Sequence, residues 1–213
     1  MKFQLLKKFP QQSAAPLAKH IGVLLMLISA SATTAAQEIF DLGTLGGSSS
    51  VAYGASANGA LIVGYSDLTG DNVYHAFRYT DGVMTNLGTL GGSSSAAYGV
   101  SADGTIIVGY SDLAGDNNFR AFRYANGVMV DIGTIGGSYS IAAAISANGL
   151  VIVGQSAITG NSAFHAFRQT GGVMTDLGTL GGGNSDAKAV SADGAVIVGY
   201  SYLSIGADYH AFR

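Results

Sequence analysis

Short apolar runs alternate with turn signals along this chain, and the alternation is clearest between residues 96 and 135. Ala96–Ser101 and Thr105–Ser111 are β-prone runs separated by Asp103-Gly104, and Phe119–Tyr124 and Val128–Ile135 flank Asn126-Gly127. Such a pair between two β-prone runs predicts a hairpin, because a type I′ turn needs positive φ at both central residues. Asn58-Gly59, Asn148-Gly149 and Asp193-Gly194 stand where Asp103-Gly104 does in other stretches of the chain, which predicts the same turn there. No window carries apolar residues at helical spacing, and the recurring glycines oppose a helix, so the fold is expected to be all-β. Runs such as Leu61-Ile62-Val63 are apolar on both faces, as in sheets covered from both sides.

The pattern is periodic. Leu42–Gly47, Leu87–Gly92, Ile132–Gly137 and Leu177–Gly182 begin at a constant step of 45 residues. Ile62-Val63-Gly64 and the tetrapeptide His75-Ala76-Phe77-Arg78 recur with them, the latter as Arg120–Arg123, His165–Arg168 and His210–Arg213. Four short antiparallel strands in each repeat of about 45 residues predict the blades of a β-propeller, with a β-solenoid or an open arc of blades as alternatives. Residues 37–213 thus read as one four-repeat β domain, with repeats starting near 42, 87, 132 and 177.

Residues 1–36 stand apart. Lys2, Lys7, Lys8 and Lys19 precede the apolar run Ile21–Ile28 and the small residues Ser29–Ala36, the order of a secretory signal peptide. The apolar run is shorter than the roughly 18 residues a membrane anchor needs. The expected product is secreted, extracellular or on a cell surface, free of the membrane after cleavage. Its six basic and 13 acidic residues give a net charge of −7, which argues against a nucleic-acid partner. With no cysteine, disulfides and thiolate chemistry are excluded.

The His-Ala-Phe-Arg and Leu-Gly-Thr-Leu-Gly-Gly signatures, which cover residues 39–213, resemble the HAF-family extracellular repeat of bacteria. The resemblance implies a secreted or surface-exposed protein, autotransporter-passenger-like in some cases. It implies no enzymatic activity and brings no catalytic residues. Arg120 departs from the pattern, standing where the other copies have His75, His165 and His210.

Residues that recur once per repeat do one structural job several times, whereas a catalytic site gathers different residues at one place. Arg78, Arg123, Arg168 and Arg213 are therefore expected to bond between strands or blades, with Asp41, Asn86, Asp131 and Asp176 as partners. Asp67, Asp71, Asp112 and Asp116 are weak candidates for calcium, because two acidic groups per loop are thin for a shell of six to eight oxygens. The third and fourth copies lose even these, with Ala157 and Asn161 in one and Tyr202 and Ala207 in the other. No Gly-x-Ser-x-Gly elbow is present, and the Gly-Gly pairs lack the helix and lysine of a phosphate cradle, so neither nucleophile nor cofactor is expected.

The most variable segments are 67–74, 112–119, 157–164 and 202–209, closed by Tyr74, Phe119, Phe164 and Tyr209, with Tyr202 inside the last. These aromatics could face a ligand or fill a blade. The function expected is non-catalytic binding or adhesion, with recognition of a partner protein or a glycan through the variable loops. The alternative is a propeller-type enzyme acting on glycans, which would need a pair of nearby carboxylates. Residues 39–45 are expected to pair with 209–213, closing a four-bladed ring within one chain or an eight-bladed homodimer by exchange.

Overall fold

The computed structural model describes residues 38–204 and 208–213. The signal peptide expected over residues 1–36 lies outside them. The chain forms four antiparallel sheets in succession. The first holds β1 (Gly46–Ala55), β2 (Ile62–Leu68), β3 (Tyr74–Thr80) and β4 (Val83–Asn86) in that order. The second holds β5 (Gly91–Val100), β6 (Ile107–Leu113), β7 (Phe119–Ala125) and β8 (Val128–Asp131). The third holds β9 (Ser140–Ile145), β10 (Val151–Ala157), β11 (Phe164–Thr170) and β12 (Val173–Asp176). The fourth holds β13 (Gly181–Val190), β14 (Ile197–Leu203) and β15 (Tyr209–Phe212). The only helical turn among the described residues is Thr159–Asn161. Sheets made of sequential hairpins agree with blades and not with the coils of a solenoid.

Alternation along each strand sends apolar side chains to both faces, and successive sheets bury them against each other. Val63 and Ala76 of the first sheet, with Leu87 just after it, meet Ala97, Ile107 and Phe122 of the second sheet. Val108 and Ala121 meet Ala142, Ile152 and Phe167, and Val153 and Ala166 meet Ala187. Among the described residues nothing covers the outer face of the fourth sheet. Val198 is 41% exposed, whereas its counterparts Val63, Val108 and Val153 are each 0% exposed. The first strands β1, β5, β9 and β13 pack against one another in series and are innermost, and β4, β8 and β12 are the outer strands.

Two turn types join the hairpins. Asp81-Gly82, Asn126-Gly127 and Gly171-Gly172 have positive φ at both positions, the type I′ requirement. The turns at Asn58, Asp103, Asn148 and Asp193 differ from the expected type I′, because only the following glycine has positive φ. Their side chains explain it. Ser101 Oγ donates to Asp103 Oδ1 at 2.6 Å and accepts from the Ile106 N–H at 3.0 Å, and Asp103 Oδ1 also accepts from the Thr105 N–H at 3.0 Å. A serine and an Asx residue two apart thus organise a wider loop than a two-residue turn.

The Ser101 hydroxyl, followed by the Thr105 N–H, holds the Asp103 carboxyl below the ordinary aspartate range, and Ser191 does the same for Asp193. A depressed folded-state value means that the folded chain binds fewer protons than the unfolded one between the two values. The resulting stability is present above the ordinary aspartate value and is lost as pH falls through the lower one. Asn58 and Asn148 perform the same role without titrating. Asp103→Asn with Asp193→Asn should therefore reduce the fall in urea midpoint between neutral pH and about pH 3.

Residues 39–45 do not pair with 209–213 within the chain, which departs from the four-bladed ring expected to close within one chain. Among the described residues β15 bonds only to β14, and Ile39 and Phe40 are 104% and 76% exposed. The segment is held elsewhere: the Leu45 N–H donates to Ser66 Oγ at 2.8 Å, and Leu45 bridges to Leu68 of its own sheet. A cavity of about 540 Å³ lies beside β15, lined in part by Leu180, Ile197, Phe212 and Arg213. Two repeats earlier the counterparts Ile107 and Phe122 lie in a buried cluster against which Leu90, Tyr124 and Met129 pack.

Candidate functional site

Each Gly-Gly segment leads into an innermost strand and meets the loop after the second strand of the same sheet. The Ser48 N–H donates to Asp71 Oδ1 at 2.7 Å, and Ser93 and Ser138 repeat the bond to Asp116 and Asn161 at 2.7 Å each. This bond is the role the structure gives Asp71 and Asp116, and an uncharged asparagine performs it equally well in the third repeat. Asp112, which is half-buried, is held above the ordinary aspartate range by burial and then by the Asp116 charge. Removal of calcium by a chelator should accordingly leave the melting temperature unchanged. A calcium-dependent rise of several degrees would restore Asp67, Asp71, Asp112 and Asp116 as ligands.

In the tetrapeptides it is the histidine, not the arginine, that reaches the recurring polar partner. His75 Nδ1 lies 3.0 Å from Asn86 Oδ1, and His165 Nδ1 lies 2.9 Å from Asp176 Oδ2. The pairs join neighbouring strands in one sheet, since Phe77 lies opposite Asn86 and Phe167 opposite Asp176. Among the described residues, Arg78, Arg123, Arg168 and Arg213 make no side-chain hydrogen bond to Asp41, Asn86, Asp131 or Asp176. The Nε atoms of Arg78 and of Arg120, the residue at the histidine position, are buried without an acceptor among the described residues. His210 is exposed on β15.

The loop-closing aromatics begin the third strands and join a band that crosses the sheets. Tyr74 packs on Tyr65 at 5.0 Å, Tyr65 on Tyr53 at 5.9 Å, and Tyr53 edge-on against Tyr98 at 5.0 Å and 76°. Tyr98 continues to Tyr110, Phe119, Tyr139 and Phe164. The Tyr74 and Tyr110 hydroxyls are 2.6 Å apart, and burial, followed by this bond, raises the Tyr110 hydroxyl far above its ordinary range. Tyr200, Tyr202 and Tyr209 form a separate cluster on the fourth sheet.

The band leads to a cavity of about 500 Å³ on the innermost strands. Four of its lining positions are equivalent by repeat: Tyr53, Tyr98, Ala143 and Lys188. Two more are Ile141 and Asp186, counterparts of Val51 and Ala96. Gln155 stands where the other repeats have Tyr65, Tyr110 and Tyr200. The third repeat thus has a methyl group and an amide where the first two have tyrosines, which opens the space beside the band. The fourth supplies an ion pair, Lys188 Nζ to Asp186 Oδ2 at 2.6 Å, with Asp186 only 3% exposed. Lys188 Nζ also sits 5.5 Å from the centre of the Tyr200 ring.

Reading by variable loops misses these residues. The available signal is a strand position that stops repeating while its neighbours continue, as at 53, 98, 143 and 188, where Tyr, Tyr, Ala and Lys follow one another.

Comparison with family models and with curated proteins gives no match. Solved structures do match. The crystal structure of TolB from Acinetobacter baumannii aligns with a TM-score of 0.56 at 17% identity, covering 76% of this chain and 39% of that one. A protein from Agrobacterium tumefaciens assigned as TolB aligns with a TM-score of 0.57 at 17% identity, covering 74% of this chain and 58% of that one. The chain spans less than two thirds of the length of either protein. The likeness shows the fold: an all-β array of antiparallel sheets of the β-propeller kind.

Proposed function

We propose that this chain is a secreted or surface-exposed, non-catalytic binding module that takes a glycan or a segment of a partner protein in the cavity on its innermost strands. The observation that supports the reading is the contrast between conserved and altered positions within the chain's own repeats. The seam residues Val63, Val108 and Val153, and their counterpart Val198 on the exposed face, are the same in every copy. The cavity positions 53, 98, 143 and 188, which hold Tyr, Tyr, Ala and Lys, stop repeating after the second copy and come together around one space. Four sheets packed in series provide a rigid frame, so recognition costs little ordering of the backbone. A concave site with aromatic walls and a few fixed polar groups is the usual form of a ligand pocket. The cavity offers one carboxylate, Asp186, whereas glycoside hydrolysis uses two.

Purified protein applied to a glycan array and to a displayed random-peptide library, beside a hydrolase screen on the same glycans, tests the proposal. Saturable binding without turnover is expected, and release of reducing ends would transfer the chain to the enzymes.

A further inference from the structure

We propose that the cavity on the innermost strands holds one hexopyranose unit of an uncharged glycan, stacked against Tyr53 and Tyr98 and bridged through neighbouring hydroxyls to Asp186 and Lys188. This rests on the binding reading above and assigns the ligand's chemistry.

Three observations select that chemistry. The first is the shape and surface of the walls. Tyr53, 51% exposed, and Tyr98 present rings at 76° to each other on one side. The negative face of an aromatic ring attracts the polarised axial C–H groups of a pyranose, and these two rings, packed edge to face at 5.0 Å, together form one aromatic surface on which a sugar ring can stack. A cavity of about 500 Å³ is of small-ligand size, and Ala143 leaves it open where a third tyrosine would otherwise project.

The second is the arrangement of polar groups. Asp186 Oδ2 is held by Lys188, and among the described residues no donor reaches Oδ1. Lys188 Nζ donates one of its three hydrogens to Asp186, which leaves two to offer. A fixed acceptor beside a fixed donor matches two adjacent hydroxyls, one donating to the carboxylate and one accepting from the ammonium. The Gln155 amide, which has no hydrogen-bond partner among the described residues, lines the same cavity and supplies a further donor and acceptor.

The third is charge. Asp186 and Lys188 cancel each other at 2.6 Å. An anionic ligand would face the Asp186 carboxylate, and a cationic one would compete with Lys188 for it, so an uncharged polyhydroxyl ligand fits without disturbing the pair.

The experiment is calorimetric titration of the protein with uncharged gluco-, manno- and galacto-configured oligosaccharides, and with sulfated and uronic counterparts. A displayed random-peptide library is screened in parallel. Expected is saturable binding of at least one uncharged oligosaccharide, little altered by high salt, and weakened about tenfold or more by Tyr98→Ala and by Asp186→Asn. Because Asp186→Asn disturbs a buried pair, Gln155→Tyr serves as the second variant. It restores the residue of the other repeats, keeps the urea midpoint, and should block the sugar by filling its place. Binding of charged oligosaccharides alone, or sugar binding indifferent to Tyr98→Ala and Gln155→Tyr, overturns the assignment. Peptide binders sensitive to Tyr98→Ala, in the absence of any sugar binding, overturn the glycan while leaving the binding module in place. If neither library yields a ligand sensitive to Tyr98→Ala, both readings fall.

Discussion

Gly109→Ala should be among the most damaging single substitutions in this chain, costing more than about 3 kcal/mol in urea unfolding. A Cβ at Gly109 would lie 1.9 Å from the Ala96 carbonyl oxygen and 2.8 Å from Ala97 Cα, so the obstacle is backbone and cannot rotate away. The close approach has a local cause. The β5–β6 register shifts between Ala97 and Gly99, which brings the β5 backbone over position 109. Gly64, Gly154 and Gly199 face the same obstacle, at 1.9, 2.0 and 2.0 Å. Gly183→Ala is the control, since nothing lies within 4 Å of a Cβ there, and a change within about 0.5 kcal/mol is expected. Equal effects from the two substitutions would contradict this account of the inner strands.

Ser95→Ala should cost about 2 to 4 kcal/mol, because one hydroxyl satisfies two buried backbone groups across a seam. Ser95 Oγ donates to the Gly88 carbonyl at 2.6 Å and accepts from the Ala76 N–H of the preceding sheet at 2.9 Å. Alanine keeps the volume and leaves both groups unpaired at a 0% exposed position. Ser140 makes the same pair of bonds to Gly133 and Ala121, and Ser185 to Gly178 and Ala166. Ser50 lies on the first sheet, and among the described residues its hydroxyl bonds only to the Gly43 carbonyl. Ser50→Ala should therefore cost about 1 kcal/mol or less, and urea midpoints for the two variants separate a seam effect from a general cost of losing serine.

The sheets were legible in the sequence because period-2 strands and glycine turns are local signals that repeat four times. The turns at Asn58 and Asp103 were misassigned because Asn-Gly and Asp-Gly fit two loop geometries. The choice was made by Ser56 and Ser101, two residues upstream, through their own hydrogen bonds. Ile62-Val63-Gly64 was visible as a landmark, but its reason, a carbonyl crossing above the glycine, depends on a register shift between strands. The tetrapeptide was read with arginine as the bonding partner because arginine recurs in all four copies; strand register instead places His75 beside Asn86 and His165 beside Asp176. The cavity was illegible for a different reason. Residues 53, 98, 143 and 188 lie far apart along the chain, and only packing of the innermost strands brings them to one place.

The central claim is that the repeated residues hold the fold while the departures from repetition make the site. Its most direct test is Asp186→Ala with Lys188→Tyr, which gives the fourth repeat the residues that the second has at Ala96 and Tyr98. The account predicts a urea midpoint equal to or above that of the parent and loss of binding to the oligosaccharides and peptides that the parent retains. Undiminished binding by a folded double variant, or its failure to fold, would contradict it.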